Sequence, residues 1–416
     1  MGPRFVPVAV VASLLGFVGA AFAAGLAPGQ ATLWQAAVGL VVIGGITPLI
    51  YVVNLRVVPV FARRMWPSPR PLYAAAVASI AGGWLIFAGR AVGSSLVDTA
   101  GDLLALAGGL FFMVAIVRLF RSPVTAKVAA PLPFPEQAVV DRIGTRFTSL
   151  AGVFLLVGLA VGVMLDFWVP ARGRWDLVWA HTMLLGWFLT MAAGVCYHVM
   201  PRWTDGRWRH PALIRAHLVL VELGLPIMLV ALALDVSWLF LVAGPLQAAA
   251  LLLFLANIVP LARRLPRVPR IGVTAAASFL ALGVLVGASM AIDPVHHVTM
   301  RFSHAEINLF GWAGLLVSGV GTYLFPRFAG RPLRWPRLAI AQVIVQSTGV
   351  VVGAVAWWWY LSVDPAAGTW VTVGNLLAAL GLAIFTTIVW ATFRARRPSA
   401  VSSTITLQPG RRRPVP

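Results

Sequence analysis

The feature that most restricts this chain is a succession of twelve apolar stretches of about 20 residues each. They fall at roughly 5–25, 34–55, 72–92, 101–119, 148–170, 177–200, 213–235, 237–261, 271–292, 304–325, 338–361 and 369–392. At 1.5 Å per residue, about 20 residues of helix cross a hydrocarbon layer about 30 Å thick. Composition agrees: the chain is 60% apolar and 11% charged, with a mean hydropathy of +0.89. Such a balance belongs to a membrane protein and excludes a soluble domain with a large core. The expected fold class is therefore all-α transmembrane, about twelve helices, in the cell (plasma) membrane with lipid around it. The first stretch has a second reading as a cleaved leader, because Arg4 precedes it and Ala21-Phe22-Ala23 resembles a cleavage site. Its length favours retention as a span.

The formal charge of +20 does not imply nucleic acid, because the basic residues sit in short connections between apolar runs. Every even-numbered connection is basic, as in Arg56, Arg63, Arg64 and Arg70, or Arg202, Arg207, Arg209 and Arg215. The odd-numbered ones hold Asp98, Asp102, Asp166, Asp176, Asp235, Asp293 and Asp364, with Arg90, Arg172, Arg174 and Arg301 as exceptions. Positive charge marks the cytoplasmic side, so both termini are expected inside, and spans six and ten run from outside inward. Cys196 is the single cysteine, which excludes a disulfide framework and a cysteine-rich metal site. A metal here has to be held by His, Met or carboxylate.

The chain repeats itself. Gly186, Trp187, Gly194, Pro201 and Arg202 recur 125 residues later as Gly311, Trp312, Gly319, Pro326 and Arg327, and Pro211 and Gly224 recur as Pro336 and Gly349. This offset lays spans five to eight on spans nine to twelve and makes the unit four helices. Spans one to four form an expected third unit, whose second helix ends in Pro59 and Arg63. The expected organisation is a first unit over 1–119, a proline-rich cytoplasmic linker over 120–147, units over 148–262 and 271–392, and a basic disordered tail over 393–416.

Seven histidines gather at two faces: His181, His296, His297 and His304 near the outer one, His198, His210 and His217 near the inner one. An ionisable group inside a span is costly and marks a functional hypothesis; the alternative is a neutral ring bonded to a carbonyl or reaching the headgroups. By the repeat, Glu306 rather than His304 matches His181, so the two histidines lie about 200° apart in a shared helical frame. If the units form a ring, those places face each other, and two imidazoles converge as bis-His haem ligation requires. His296 and His297, in the loop before span ten, are a candidate copper pair or a solvated pair. Asn308, one turn after His304, can orient its ring. Glu306 is a candidate proton relay. His198 reads as an interfacial anchor beside Tyr197, His210 as a solvated loop residue, and His217, which matches Gln342, as a polar packing residue. Trp357-Trp358-Trp359-Tyr360 reads as an aromatic belt.

The stretch His304-Ala-Glu306-Ile-Asn308-Leu-Phe-Gly-Trp312, with the ending Tyr323-Leu-Phe-Pro-Arg327, resembles the start and end of a helix in haem–copper oxidase subunit I and the related NnrS proteins. The resemblance covers spans five to twelve and extends to the first four by count. It implies haem, with copper as a second candidate, His181 and His304 as ligands with Asn308 beside them, an oxidoreductase handling oxygen or nitric oxide, and a cupredoxin or cytochrome donor at the outer face. The sequence departs from the oxidases in having no histidine in span two, His-x-Glu in place of His-x-His, and a His-His pair before span ten rather than span seven. NnrS-like proteins, with fewer fixed ligands, fit better. The other function class is a metal-free transporter or scaffold on the same repeats.

Overall fold

A computed structural model describes residues 5–125, 132–168 and 173–395. The expected linker residues 126–131 and the tail from 396 onward lie outside the described residues. Twelve helices are long and apolar enough to cross a membrane: Phe5–Gly25, Ala31–Ala62, Arg70–Val92, Ser95–Arg121, Gln137–Phe167, Arg174–Thr204, Pro211–Leu234, Ser237–Ala262, Arg267–Ile292, Arg301–Ala329, Pro336–Ser362 and Pro365–Arg394. Among the described residues there is no strand, only an isolated bridge between Arg64 and Val124. The protein is a multi-pass, all-α membrane protein.

Burial separates the helices into two classes. The apolar windows of spans two, six and ten are 83%, 72% and 83% buried, against 28–50% in the other nine. Three helices therefore stand inside and nine form the wall. Each inner helix is the second of a set of four, so the same place in the repeat takes the same place in the fold. Aromatic contacts join the three. Trp187 of span six donates to Thr47 Oγ1 of span two at 3.2 Å, Phe188 packs on Trp312 of span ten at 4.8 Å, and Trp34 of span two packs on Phe302 of span ten at 5.1 Å.

Each inner helix also widens at one place, over Leu40–Ile46, Thr182–Leu189 and Ile307–Ala313, into i→i+5 turns. Such turns are rare, leave carbonyls poorly served and concentrate at functional sites. Here side chains answer those carbonyls. Thr190 Oγ1 donates to Leu185 O at 2.7 Å, Ser79 Oγ to Ile43 O at 2.6 Å, and Gln346 Nε2 to Phe310 O at 2.7 Å. The inner helices end alike too. After Pro59, Pro201 and Pro326 they stop at Arg63, Asp205 and Gly330 in the left-handed region, with φ of 53°, 48° and 63°.

Close approach relies on glycine. A Cβ on Gly83 of span three would stand 2.4 Å from the Cα of Gly44 in span two, a distance only hydrogen can fill. The basic ends collect on one face, where Thr125 N donates to Arg63 O at 2.7 Å, Arg334 N to Thr392 Oγ1 at 3.1 Å, and Arg331 to the carbonyl of Phe393. At the opposite face Thr372 Oγ1 donates to Gly25 O at 2.6 Å and ties span twelve to span one. Span one thus packs within the bundle, its Phe17, Ala20, Ala21 and Ala24 fully buried.

Three sequence expectations are corrected. Helix begins at Gln137, inside the stretch read as linker, because Gln137 is itself buried and bonds Asp141 Oδ1 and Tyr197 O, at 2.8 and 2.9 Å. Trp357 is not part of an exposed belt. It is 1% exposed and packs edge-on to Trp34 at 5.5 Å, leaving Trp358 and Trp359 outward. His296 and His297 lie on a one-turn helix, Pro294–Thr299, not in an open loop, because Asp293 caps it by accepting from Val295 N at 2.8 Å.

Candidate functional site

His181 and His304 stand at the outer ends of two inner helices, immediately before their wide turns. His181 is the last residue of the segment Arg174–His181, and His304 lies within Arg301–Glu306. His181 Nδ1 lies 2.8 Å from Leu177 O, one turn earlier. A carbonyl only accepts, so the proton sits on Nδ1, and the neutral ring keeps the Nε2 lone pair for another partner.

His304 is held from a neighbouring helix. Its ring lies over Gly287 of span nine, where a Cβ would come within 3.0 Å of Cε1, and a ring nitrogen faces the Gly283 carbonyl. Asn308 Nδ2 donates to His304 O at 2.7 Å and lies 3.4 Å from His304 Nδ1. A Cβ on Gly283 would stand 2.5 Å from Asn308 Oδ1. Gly283 and Gly287, one turn apart, therefore open a groove that receives both side chains. The helices that carry His181 and His304 meet seven and eight residues further on, where Phe188 packs on Trp312 at 4.8 Å. Both rings are half-buried.

The other expected residues are distributed around this pair. Consecutive helical residues diverge by about 100°, and His296 and His297 do so here. His296 Nε2 lies 3.7 Å from Asp293 Oδ2, while His297 is exposed. Among the described residues one group of three possible ligand residues brings its atoms within 4.8 Å, Asp98, Asp102 and Asp166, and none of the histidines belongs to it. Arg90 pairs with that group, at 3.0 Å from Asp98 and 3.6 Å from Asp102, which makes it an ion-pair cluster at the outer end of spans three to five.

Glu306 is not a neighbour of the His304 ring. Two residues on, it faces the opposite way, against Gly353 of span eleven and Asn375 of span twelve. It is fully buried. The Asn375 amide lies beside it, yet neither carboxylate oxygen makes a hydrogen bond of good geometry. Asn375 Oδ1 and the indole nitrogen of Trp357 are likewise buried without partners.

At the inner face His198 is not an interfacial anchor. It is 4% exposed and stacks on Phe61 at 4.4 Å, with Nδ1 3.0 Å from Asp141 Oδ1. Arg202 grips Asp141 with both terminal nitrogens, at 3.0 and 2.7 Å. Asp141, from the stretch read as linker, is the residue that sequence reasoning missed. Its signal was an acid in a strongly basic connection, five residues after Glu136. His217 Nδ1 meets the Tyr197 hydroxyl at 2.8 Å, and Gln342 donates to Gln346 at 2.6 Å, so both matched positions carry buried polar contacts.

These residues fit one imidazole-ligated metal group. His181 has its tautomer set with Nε2 available, and His304 has its ring positioned by span nine and Asn308. Between spans two, ten and eleven no second histidine pair is offered: span two contains no histidine, and Trp34, Phe302 and Trp357 pack there, with Phe302 and Trp357 at 4.6 Å.

Neither a protein-family model nor a curated protein matches the sequence. Among solved structures, a chain of a heme-copper terminal oxidase dimer determined by cryo-EM superposes with a TM-score of 0.70, over 95% of this chain and 83% of that one, at 14% sequence identity. The chain has the fold of that oxidase chain.

Proposed function

We propose that this protein is a membrane redox protein holding one metal group, a haem iron or a copper ion, through His181 and His304 near the outer face. The observation that carries the reading is that two adjoining inner helices each carry a half-buried imidazole at the outer end, fixed by a second contact, one with its Nε2 lone pair free. A bound haem or copper would supply a one-electron couple, and a copper ion held by only two imidazoles would also leave a position for oxygen or nitric oxide. The chain does the rest. Leu177 O sets the His181 tautomer, while Asn308 and the Gly283–Gly287 groove hold the His304 ring. The Phe188–Trp312 contact lies beneath the pair and excludes water. Glu306, buried and without a good hydrogen bond, is suited to carry a proton through the ring of inner helices, on a side separate from the metal. An electron donor of the cupredoxin or cytochrome class docks at the outer face beside exposed His297. The oxidase fold and the NnrS resemblance support this reading, and the missing second ligand pair limits it to one group.

The test is an oxidised-minus-reduced visible spectrum of the detergent-purified protein, with copper analysis, beside His181→Ala and His304→Ala. The expected result is a Soret band, or stoichiometric copper, lost or shifted in both variants, with nitric oxide added to show whether a coordination place is open. Protein that stays colourless and copper-free after haem- and copper-replete expression overturns the reading and leaves the metal-free transporter or scaffold.

A further inference from the structure

Span seven, Pro211–Leu234, is a wall helix along which Arg215, Val219, Glu222, Pro226 and Val230 recur every three or four residues, all exposed. They form the stripe that faces the hydrocarbon. Glu222 stands at its centre, about 17 Å of helix from either end, too deep for its carboxyl to reach headgroups or water. Among the described residues no other Asp, Glu, Lys, Arg or His lies in the middle third of a span, and no described residue forms a hydrogen bond or ion pair with Glu222. Gln247 of span eight meets span seven at Gly224, about 200° around the helix from Glu222, so it does not serve the carboxyl.

Lipid tails offer a carboxyl no hydrogen bond, and a polar group held at that depth is retained where it has a partner. That partner comes from another molecule, and depth and hydrogen bonding define it. A second copy of this chain inserts with the same orientation and brings its own Glu222 to the same depth, a match that any other chain has to provide separately. A neutral carboxyl has one O–H donor and a free acceptor oxygen. Two of them across a two-fold axis normal to the bilayer therefore satisfy each other with two O–H···O bonds. Val219, Pro226 and Val230 surround the pair with apolar contact, and Arg215, two turns toward the inner end, lies where water and lipid phosphate screen it from its counterpart. We propose that the Glu222 stripe of span seven is the contact between two copies of this chain in the membrane, closed by a hydrogen-bonded pair of Glu222 carboxyls. The contact is independent of the metal.

The experiment counts copies of the full-length protein in lipid vesicles by single-molecule photobleaching, over a range of protein-to-lipid ratios, for the wild type, Glu222→Leu and Glu222→Gln. The wild type is expected to be a dimer. Glu222→Leu should raise the dissociation constant about tenfold, the effect of one net hydrogen bond, while Glu222→Gln, whose amide also donates and accepts, should stay within about threefold of the wild type. Glu222→Leu places an apolar side chain against lipid and should fold normally, so its loss of dimers reads the contact. Because Cys196 is the single cysteine, Val219→Cys in a Cys196→Ser chain locates the face by disulfide cross-linking, with Val351→Cys, on the exposed side of span eleven, as the comparison that should not cross-link. The proposal is overturned by a wild type that stays monomeric at every ratio, by dimers that Glu222→Leu leaves unchanged, or by cross-linking through Val351→Cys rather than Val219→Cys. A different chain that co-purifies in equal amount with the wild type and is lost from Glu222→Leu overturns it too. None of these outcomes depends on the spectrum that tests the metal site.

Discussion

Replacing Glu306 by methionine is expected to stabilise the folded protein. The side chain is fully buried between Gly353 and Asn375, and both carboxylate oxygens lack a hydrogen bond of good geometry. Even as a neutral acid, a buried polar group without partners costs about 1–3 kcal/mol, and as an anion it costs more. Methionine has a similar length, is unbranched and carries no group that needs a partner, so Glu306→Met should recover about 1–3 kcal/mol. Glu306→Gln should recover a smaller share, because its amide can donate to the unpartnered Asn375 Oδ1. At about 2 °C per kcal/mol for a chain of this size, the methionine variant should melt about 2–6 °C higher. Fluorescence-detected size exclusion after heating steps, in one detergent and at one protein concentration, measures this directly. The same variant should lose proton-coupled turnover if the carboxyl carries protons, since a residue this costly persists only where chemistry needs it. A melting temperature lowered by 2 °C or more would refute the reasoning. It would mean that a bound water or ion satisfies the carboxyl and that its burial carries no penalty.

Three further outcomes follow from the packing. Gly83→Ala drives a methyl group into the backbone of Gly44 and should cost about 3 kcal/mol or more, read as loss of monodisperse protein, whereas Gly93→Ala, whose Cβ meets nothing, should cost about 1 kcal/mol through its φ of 72°. Arg202→Met leaves Asp141 with His198 and Gln137 but without its two-pronged partner. The expected loss is about 2–3 kcal/mol, at the low end for a broken buried pair because Asp141 keeps 22% of its side chain exposed, and Asp141→Asn in the same chain should restore much of it in a melting assay. Asn308→Leu removes the donor beside His304 while leaving Gly283 and Gly287 in place. It should shift the absorption band of any group bound at His304 without lowering the melting temperature by more than about 1 °C.

The candidate site was legible in part. His181 and His304 stood out because histidine is costly in a span, and each stands at the outer end of an inner helix. Their surroundings were not legible. Asn308 joins His304 from one turn away, which helical spacing gives, but Gly283 and Gly287 come from another helix and carry no chemical signature. Glu306 looked like a companion of His304 by proximity in sequence. The helix turns it to the opposite side, toward an asparagine 69 residues later. His198 looked like an anchor because Asp141, its partner, lay in what reads as a linker.

What the sequence determined alone is whatever a single segment decides against its solvent. The twelve spans and the sidedness of the basic connections follow from the transfer of each stretch between water and hydrocarbon, which needs no neighbour. What only the tertiary structure decided is what depends on neighbours. Spans two, six and ten are no more apolar than the wall helices, yet they stand inside, because their wide turns and small residues admit close packing that lipid cannot rival. Which way a histidine faces and which carboxyl lies without a partner are set by lateral contacts between distant segments. Hydropathy, a property of one helix and its solvent, does not encode them.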